Sequence, residues 1–188
     1  MAADYALLTK NLGEFYNFAD KVVLLVGAGH GQLLDPTVRT KKTIAVDRDL
    51  GALQEFQRRI AAEARQGSVE MVHGDLKTSP RIVTSPDPFS SLKHARILAP
   101  DVVVFDHSLA SEWVFYSVEE GIVRRSAMAM NNFGIRRCSS FRTVQRFGDY
   151  ADLLSKVSTQ GPLSIQRIER YSGATNVVIP MFCELVLL

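Results

Sequence analysis

The stretch that decides the fold is VVLLVGAGHG, residues 22–31, in which five apolar residues run directly into three glycines at alternating positions, Gly27, Gly29 and Gly31. An uninterrupted run rich in Val and Leu is typical of a strand buried on both faces, as in a parallel sheet covered by helices. Glycines directly after such a strand can adopt positive φ and let the backbone approach a ligand closely. The stretch therefore predicts the first strand and turn of a doubly wound sheet, with a nucleotide-type cofactor at the turn.

Acidic residues end three further apolar runs. Residues 43–47 end on Asp47, about 20 residues after Gly27, which is the spacing expected of an acid that binds a ribose. Residues 69–75 and 101–106 also finish on aspartates. Because the carboxyl ends of parallel strands open into the crevice where such sheets bind ligands, the three acids are candidate binding residues.

The remaining elements complete an α/β pattern. Apolar residues at helical spacing predict helices, and short runs of β-forming residues predict further strands. The helices are predicted at residues 4–18, 50–64, 89–97, 111–120 and 150–158, and the strands at residues 141–147, 165–171 and 176–187. A tight turn at residues 172–174 joins the last two strands, which must then be antiparallel. We therefore predict a doubly wound, mostly parallel seven-stranded sheet with helices on both faces and an antiparallel C-terminal hairpin.

Length and composition favour one ordinary globular domain. The chain has 188 residues, of which 46% are hydrophobic, and a formal net charge of +2. We therefore expect a single domain over residues 1–188, with the N-terminal helix as a cap. Neither a signal peptide nor a membrane-spanning run is recognisable, so we expect a cytoplasmic protein that does not bind membranes. Two cysteines are too few for a disulfide framework or a zinc cluster, and we expect no metal.

This order of elements resembles the class I S-adenosylmethionine-dependent methyltransferases over nearly the whole chain. The first-strand motif of that family is G-x-G-x-G, which Gly27, Gly29 and Gly31 match. The resemblance implies S-adenosyl-L-methionine as the cofactor. It also implies transfer of the methyl group to an acceptor that the sequence does not identify, with a small molecule favoured.

The resemblance further implies roles for individual residues. It places the glycine turn against the amino acid portion of the cofactor and Asp47 against the ribose hydroxyls. It places Asp75 beside the adenine amino group and Asp106 beside the methionine moiety. The chemistry suits these roles, because carboxylates accept hydrogen bonds that hydroxyl and amino groups donate. The implied cofactor-binding residues are Gly27, Ala28, Gly29, Gly31, Asp47, Arg48, Asp75, Leu76 and Asp106.

The sequence departs from the family pattern in two places. Pro36 lies soon after the glycine turn and predicts a short first helix. After the fourth strand stands Asp106-His107-Ser108-Leu109, in place of the Asn/Asp-Pro-Pro-Tyr sequence that the family uses to methylate base amines. His107 is the candidate catalytic base, although a lone histidine is more often structural.

Other interpretations stay open at this point. Asp47 can cap the following helix instead, a role that it could share with Asp49. An acid after the second strand also suits an NAD(P)-binding oxidoreductase, although Gln32 stands where that fingerprint needs a small residue. A third alternative is a cofactor-binding protein without catalysis, since a fold does not fix a function.

Arginines without neighbouring acids distinguish residues 121–148, which contain no Asp or Glu. They form either a solvated face or a contact surface for an anionic substrate, and they keep RNA as a minority acceptor. The arginines proposed to contact such a substrate are Arg124, Arg125, Arg136 and Arg137. A homodimer is compatible with the sequence.

Overall fold

The computed structural model describes residues 2–3, 5–27, 40–47, 49–62, 69–74, 88–111, 117–158 and 161–188. Two compact units are formed, one by Tyr5–Ala95 and the other by Arg96–Leu188 with Met1–Asp4. The expectation of one domain over the whole chain stays a prediction. In chain order the elements are β1 (Ala2–Ala3), α1 (Tyr5–Phe15), β2 (Val22–Val26), β3 (Lys42–Asp47), α2 (Leu50–Ala62), β4 (Val69–His73), α3 (Pro88–Leu98), β5 (Val103–His107), α4 (Ser117–Asn132), β6 (Arg137–Asp149), α5 (Tyr150–Val157), α6 (Pro162–Ile168) and β7 (Thr175–Leu187).

Strands β2, β3 and β4 form a parallel sheet in that order within the unit Tyr5–Ala95. Val26 pairs with Val46, and Asp47 pairs with His73, so the carboxyl ends of the three strands are aligned. The central strand is buried in its middle, as the continuous apolar runs predict. The alignment brings the residues that follow each strand to one edge of the sheet.

Helix α2 fixes the end of β3 by packing back onto the sheet. Leu53, Phe56 and Ile60 recur at intervals of three and four residues and therefore share one face of the helix. With Ala45 of β3 they form a buried cluster. Burial of each large side chain contributes about 1.5–3 kcal/mol, so this packing holds the β3–α2 turn in place.

The second unit contains a sheet with the strand order β1-β6-β7-β5, in which every neighbouring pair is antiparallel. Strands β6 and β7 have 13 residues each and pair from Arg137 and Leu187 at one end to Asp149 and Thr175 at the other. Helices α5 and α6 cover one face of this sheet. The buried cluster there consists of Phe147, Leu153, Val157, Ile168, Val177, Ile179 and Met181.

The predicted sheet is wrong in two respects. Among the described residues, a three-stranded and a four-stranded sheet stand in place of one seven-stranded sheet, and the four-stranded sheet is antiparallel. The predicted hairpin strand at residues 165–171 is α6 followed by a 3-10 turn, and the antiparallel partner of β7 is β6. The helix forms because Pro162 occupies its first turn, where a missing N–H costs nothing. Ile165, Ile168 and Tyr171 then recur every three residues, which is closer to a helical period than to the strand period.

The other predicted elements correspond to observed ones, with one shift. The helix predicted at residues 111–120 overlaps α4 only at residues 117–120, since α4 continues to Asn132, Ser111 is not helical, and residues 112–116 lie outside the described ranges. The strand predicted at residues 141–147 is the second half of the longer β6. Within the described ranges, none of the helices combines the length and the apolar character needed to cross a membrane.

Candidate functional site

The first candidate site lies at the carboxyl edge of the three-stranded sheet, where Gly27 and Asp47 are neighbours. The N–H of Gly27 donates a hydrogen bond to the carbonyl of Val46 over 3.0 Å, directly after the paired residues of β2 and β3. The N–H of Gly74 donates to the carbonyl of Asp47 over 3.1 Å, so the end of β4 joins the same edge. Gly27 has a φ of 72°, a conformation that favours glycine because it has no Cβ.

Asp47 and Asp49 accept different backbone hydrogen bonds in the β3–α2 turn. Asp49 Oδ1 accepts a hydrogen bond from the N–H of Ala52 over 3.1 Å and thereby caps α2. Asp47 is half-buried, and its Oδ1 accepts from the N–H of Asp49 over 2.9 Å. The helix-capping role that the sequence left open for Asp47 therefore belongs to Asp49, while Asp47 closes the turn at the sheet edge.

Several predicted cofactor-binding residues fall outside the part of the chain that the structure describes. Their roles stay predictions that rest on the resemblance. These residues are Ala28, Gly29, Gly31, Arg48, Asp75 and Leu76.

The second candidate site is a pocket of about 90 Å³ within the unit Arg96–Leu188. Its polar wall comes from the end of β5 and from β7, where Asp106 pairs with Glu184. Its apolar wall comes from α4, on which Val123, Ala127 and Met130 are spaced four and three residues apart and so share one face. The residues that line the pocket are Asp106, His107, Ser108, Leu109, Val123, Ala127, Met130 and Glu184.

Strand alternation separates the polar residues of β5 onto two faces of the sheet. Directly paired residues on neighbouring strands lie on the same face, so Asp106 and Glu184 share one face, and His107 and Cys183 share the other. His107 Nδ1 lies 3.9 Å from Cys183 Sγ. Asp106, predicted as a cofactor contact, and His107, predicted as a base, therefore have opposite orientations at the same strand end.

Burial changes the acid–base properties of both residues on the His107 face. Burial lowers the pKa of His107, and the charge of Asp106 raises it by less, so the imidazole is neutral at neutral pH. Burial, with a smaller contribution from Asp106, raises the pKa of the Cys183 thiol to about 11. The thiol is therefore protonated and unreactive, whereas the imidazole can accept a proton.

The two carboxylates on the other face have no cationic partner in the described part of the chain. Asp106 Oδ1 accepts a hydrogen bond from the N–H of His107 over 2.7 Å. The side chain of Glu184 makes no hydrogen bond or ion pair with another described residue, and its charge contributes to the raised pKa of Cys138. Both side chains are half-buried. Like charges directly opposite each other on neighbouring strands destabilise a sheet. Glu184 was missed as a site residue, and the only signal for it is one acid inside the apolar run of β7.

The four arginines predicted to contact an anionic substrate do not line this pocket. Arg136 donates to Asp101 Oδ1 over 2.6 Å and also to the main-chain oxygen of Leu188. Arg124 and Arg125 are exposed on α4, and Arg137 is exposed at the start of β6. At least one of the four, Arg136, therefore has a structural role in tying the C-terminus to the start of β6.

Comparison with known proteins identifies the fold. No family model matches the chain, and no curated protein is similar to it. A protein from Bacillus halodurans assigned as a methyltransferase aligns with a TM-score of 0.63 at 17% identity, covering 98% of this chain and 97% of its own. The chain has the class I methyltransferase fold.

Two further methyltransferase structures show the same fold. The precorrin-6y C5,15-methyltransferase from Geobacter metallireducens has a TM-score of 0.55 at 9% identity, and the alignment covers 97% of this chain and 86% of that one. A protein from Galdieria sulphuraria assigned as a sarcosine dimethylglycine methyltransferase has a TM-score of 0.54 at 11% identity, with 97% and 84% covered. The predicted similarity to the class I methyltransferase fold is therefore confirmed, whereas the single seven-stranded sheet is not.

Proposed function

We propose that this protein is an S-adenosylmethionine-dependent methyltransferase that acts on a small molecule. The observation that supports it best is the position of Gly27 beside Asp47, at the carboxyl ends of adjacent parallel strands, in a chain with the class I fold. Ligands of open α/β sheets bind outside the carboxyl ends of the strands. The names of the similar structures include methyltransferases for small molecules, which agrees with the proposed substrate class.

The residues at the sheet edge fit such a cofactor. Gly27 has the positive φ that lets a backbone turn pass close to a ligand, and an added Cβ would meet no atom of the described residues within 4 Å. Asp47 offers a carboxylate at the neighbouring strand end, held by its bond to the N–H of Asp49. When bound, S-adenosylmethionine supplies a methyl group that is already activated by a sulfonium.

The remaining assignments follow the resemblance. We assign Ala28, Gly29 and Gly31 to the amino acid portion of the cofactor and Arg48 to the ribose beside Asp47. Asp75 and Leu76 are assigned to the adenine. Asp106 is assigned to the methionine side, and His107 is retained as the candidate base because its imidazole is neutral at neutral pH.

Transfer of an activated methyl group requires little chemistry from the protein. The reaction is an in-line displacement, so most of the rate enhancement comes from holding the two reactants in a near-attack geometry. A general base contributes only when the acceptor must lose a proton, and then typically about 100-fold to 10,000-fold.

Isothermal titration calorimetry of the full chain tests the proposal. We expect S-adenosylmethionine and S-adenosylhomocysteine to bind, and NADH fluorescence to show no enhancement. If neither sulfur compound binds to the folded protein, the proposal is wrong, and an NADH signal would favour the oxidoreductase alternative. If the cofactor binds but a labelled methyl group reaches no acceptor among small molecules, proteins and RNA, the protein binds the cofactor without catalysis.

A further inference from the structure

We propose that the outer edge of β6 binds an extended acidic segment of a partner protein, which adds a strand beside β6 in line with β1. This docking is independent of the methyltransferase activity proposed above. It is supported by a stretch of unpaired strand edge, by the arginines near the two ends of that stretch and by the short side chains between them.

Most of β6 has no neighbouring strand on its outer side among the described residues. The strand is 13 residues long, whereas β1 covers it only at Gln145 and Arg146. The outer side of residues 137–144 is therefore an unpaired edge, which we call the open edge. Unpaired edges of sheets are templates for pairing with another extended chain.

The hydrogen bonds of β7 show which groups point out of the open edge. The carbonyl of Phe182 accepts from the N–H of Ser108 over 2.8 Å, and the N–H of Leu188 donates to the carbonyl of Val102 over 3.0 Å. The even-numbered residues of β7 therefore bond to β5, and its odd-numbered residues bond to β6, because bonded and non-bonded pairs alternate along an antiparallel ladder. Their partners on β6 are also odd-numbered.

The even-numbered residues of the open edge consequently direct their backbone groups outward. Among them are Cys138, Ser140 and Arg142, and no described residue makes a hydrogen bond to the N–H or C=O groups of these three. The side chains of residues 137–140 are exposed on both faces of the sheet, so no described helix covers this part of the strand. An added strand can therefore reach the outward groups.

The charges along the open edge favour an acidic partner. Arg137 and Arg142 are exposed, and residues 121–148 contain no acid. Between the two arginines, the short side chains of residues 138–140 leave room for those of an added strand. Glu184 pairs with the last of these three from the β7 side and repels an acid at the centre of the segment. The edge thus fits six residues with an acid at each end and a neutral centre.

Arg142 is held in place for such a contact. Its guanidinium lies over the ring of Phe182, 5.9 Å from the ring centroid. It makes no ion pair with a described residue. Because a guanidinium binds a carboxylate through two parallel N–H donors, a terminal acid of the segment can pair with it directly.

A second copy of this chain fits the open edge less well. Two β6 strands side by side would bring together Arg137 and Arg142 of both copies without an acid on either strand. Like charges on neighbouring strands destabilise a sheet, and charged residues on edge strands commonly prevent self-pairing. An acidic segment replaces this repulsion with two ion pairs.

Hydrogen exchange measured by NMR on the isotope-labelled full chain tests the proposal. The probe is the peptide acetyl-EVTTVE-amide, whose symmetric sequence suits either strand direction. At saturating peptide we expect exchange of the outward N–H groups of Cys138, Ser140 and Arg142 to slow at least about tenfold. The N–H groups of Ser139 and Phe141, which already bond to β7, should change little. Unchanged exchange at the three outward groups overturns the proposal.

Two control peptides separate strand pairing from simple attraction between charges. Acetyl-KVTTVK-amide should bind at least about tenfold more weakly, because both ion pairs become repulsions. Acetyl-EPTTPE-amide keeps the acids but cannot form a complete ladder, since proline has no N–H, and it should give no protection. The proposal is wrong if the first control binds as tightly as the probe or if the second protects the same groups.

Ser140→Pro and the matched Ser140→Ala test the edge from the protein side. Proline at this position removes an outward N–H and none of the bonds to β7, so the sheet should persist, as a urea unfolding midpoint will show. We expect Ser140→Pro to abolish peptide binding in an NMR titration and Ser140→Ala to leave it unchanged. Equal binding by the two variants refutes strand addition.

Arg142→Glu and the matched Arg146→Glu decide the role of charge, and they also serve if Ser140→Pro does not fold. Arg146 lies where β1 already pairs, about 13 Å along the strand from Arg142, which is beyond the screening length of about 8 Å at physiological salt. We expect Arg142→Glu to weaken peptide binding at least about fivefold and Arg146→Glu to leave it unchanged. Equal effects of the two substitutions contradict the proposal.

The same exchange rates are measured without peptide at increasing protein concentration. We expect them to be independent of concentration. Protection of Cys138, Ser140 and Arg142 that rises with concentration would assign the open edge to a second copy and overturn the proposal.

Discussion

Replacing Asp47 by Asn tests the proposed contribution of its charge to cofactor binding. The side chain of Asn can still accept from the N–H of Asp49, the bond that Asp47 Oδ1 makes over 2.9 Å, so the turn should persist. A hydrogen bond to a charged acceptor contributes about 1 kcal/mol more than one to a neutral acceptor. With two ribose hydroxyls as donors, the loss is about 2 kcal/mol, or about a 30-fold weaker affinity for S-adenosylhomocysteine.

Asp49→Ala provides the matched control, because it removes the neighbouring carboxylate from the same turn. It deletes the cap on α2, the bond to the N–H of Ala52 over 3.1 Å, and should cost about 1 kcal/mol of unfolding free energy. Cofactor affinity should stay close to that of the wild type. Calorimetry gives the affinities and urea unfolding gives the stabilities. The assignment of Asp47 would be refuted if Asp47→Asn bound like the wild type, or if Asp49→Ala lost as much affinity.

Three further predictions concern the second unit. Leu153→Ala should lower the free energy of unfolding by about 2–5 kcal/mol, measured with urea, because Leu153 is fully buried in the α5–β6–β7 cluster; a loss below about 1 kcal/mol would contradict that packing. Burial holds the pKa of His107 below 6.5, so just below pH 6.5 the folded state binds fewer protons than the unfolded state. The free energy of unfolding should therefore fall as the pH is lowered through 6.5. The variant His107→Gln should show a weaker dependence of this free energy on pH. Iodoacetamide should label the exposed Cys138 before the buried Cys183, whose pKa is about 11, and mass spectrometry that finds equal rates in the folded protein would refute this.

The parallel strands were predictable because their signal is local. Each is a short apolar run that ends on a turn residue or an acid, and such a run can be buried on both faces without any knowledge of its neighbours. The structure places β2, β3 and β4 within a few residues of the predicted bounds. The acid at the end of β3 could therefore be predicted as a candidate ribose contact from spacing alone.

The antiparallel sheet was predicted less well because its pairing is not local. The apolar residues between Pro162 and Tyr171 suit either a short strand or a helical turn, and the tight turn at residues 172–174 suggested a hairpin. The N–H groups of β7 instead pair with β6, which lies beyond two helices in the sequence. The length of β6 was underestimated for the same reason, since its exposed first half has no apolar alternation to mark it.

The pairing of β5 with β7 also explains why Glu184 was not predicted as a site residue, since no spacing in the sequence relates it to Asp106. Glu184 pairs with Ser140 on one side and Asp106 on the other, which makes one polar row across the sheet at the level of the pocket. One row further along the same face, Val186 pairs with Val104 and is buried. A carboxylate in the central strand of this sheet therefore costs stability without a compensating ion pair in the described part of the chain. Proteins depart from local folding rules mainly at functional sites, which makes Glu184 a residue to test in the function of this protein.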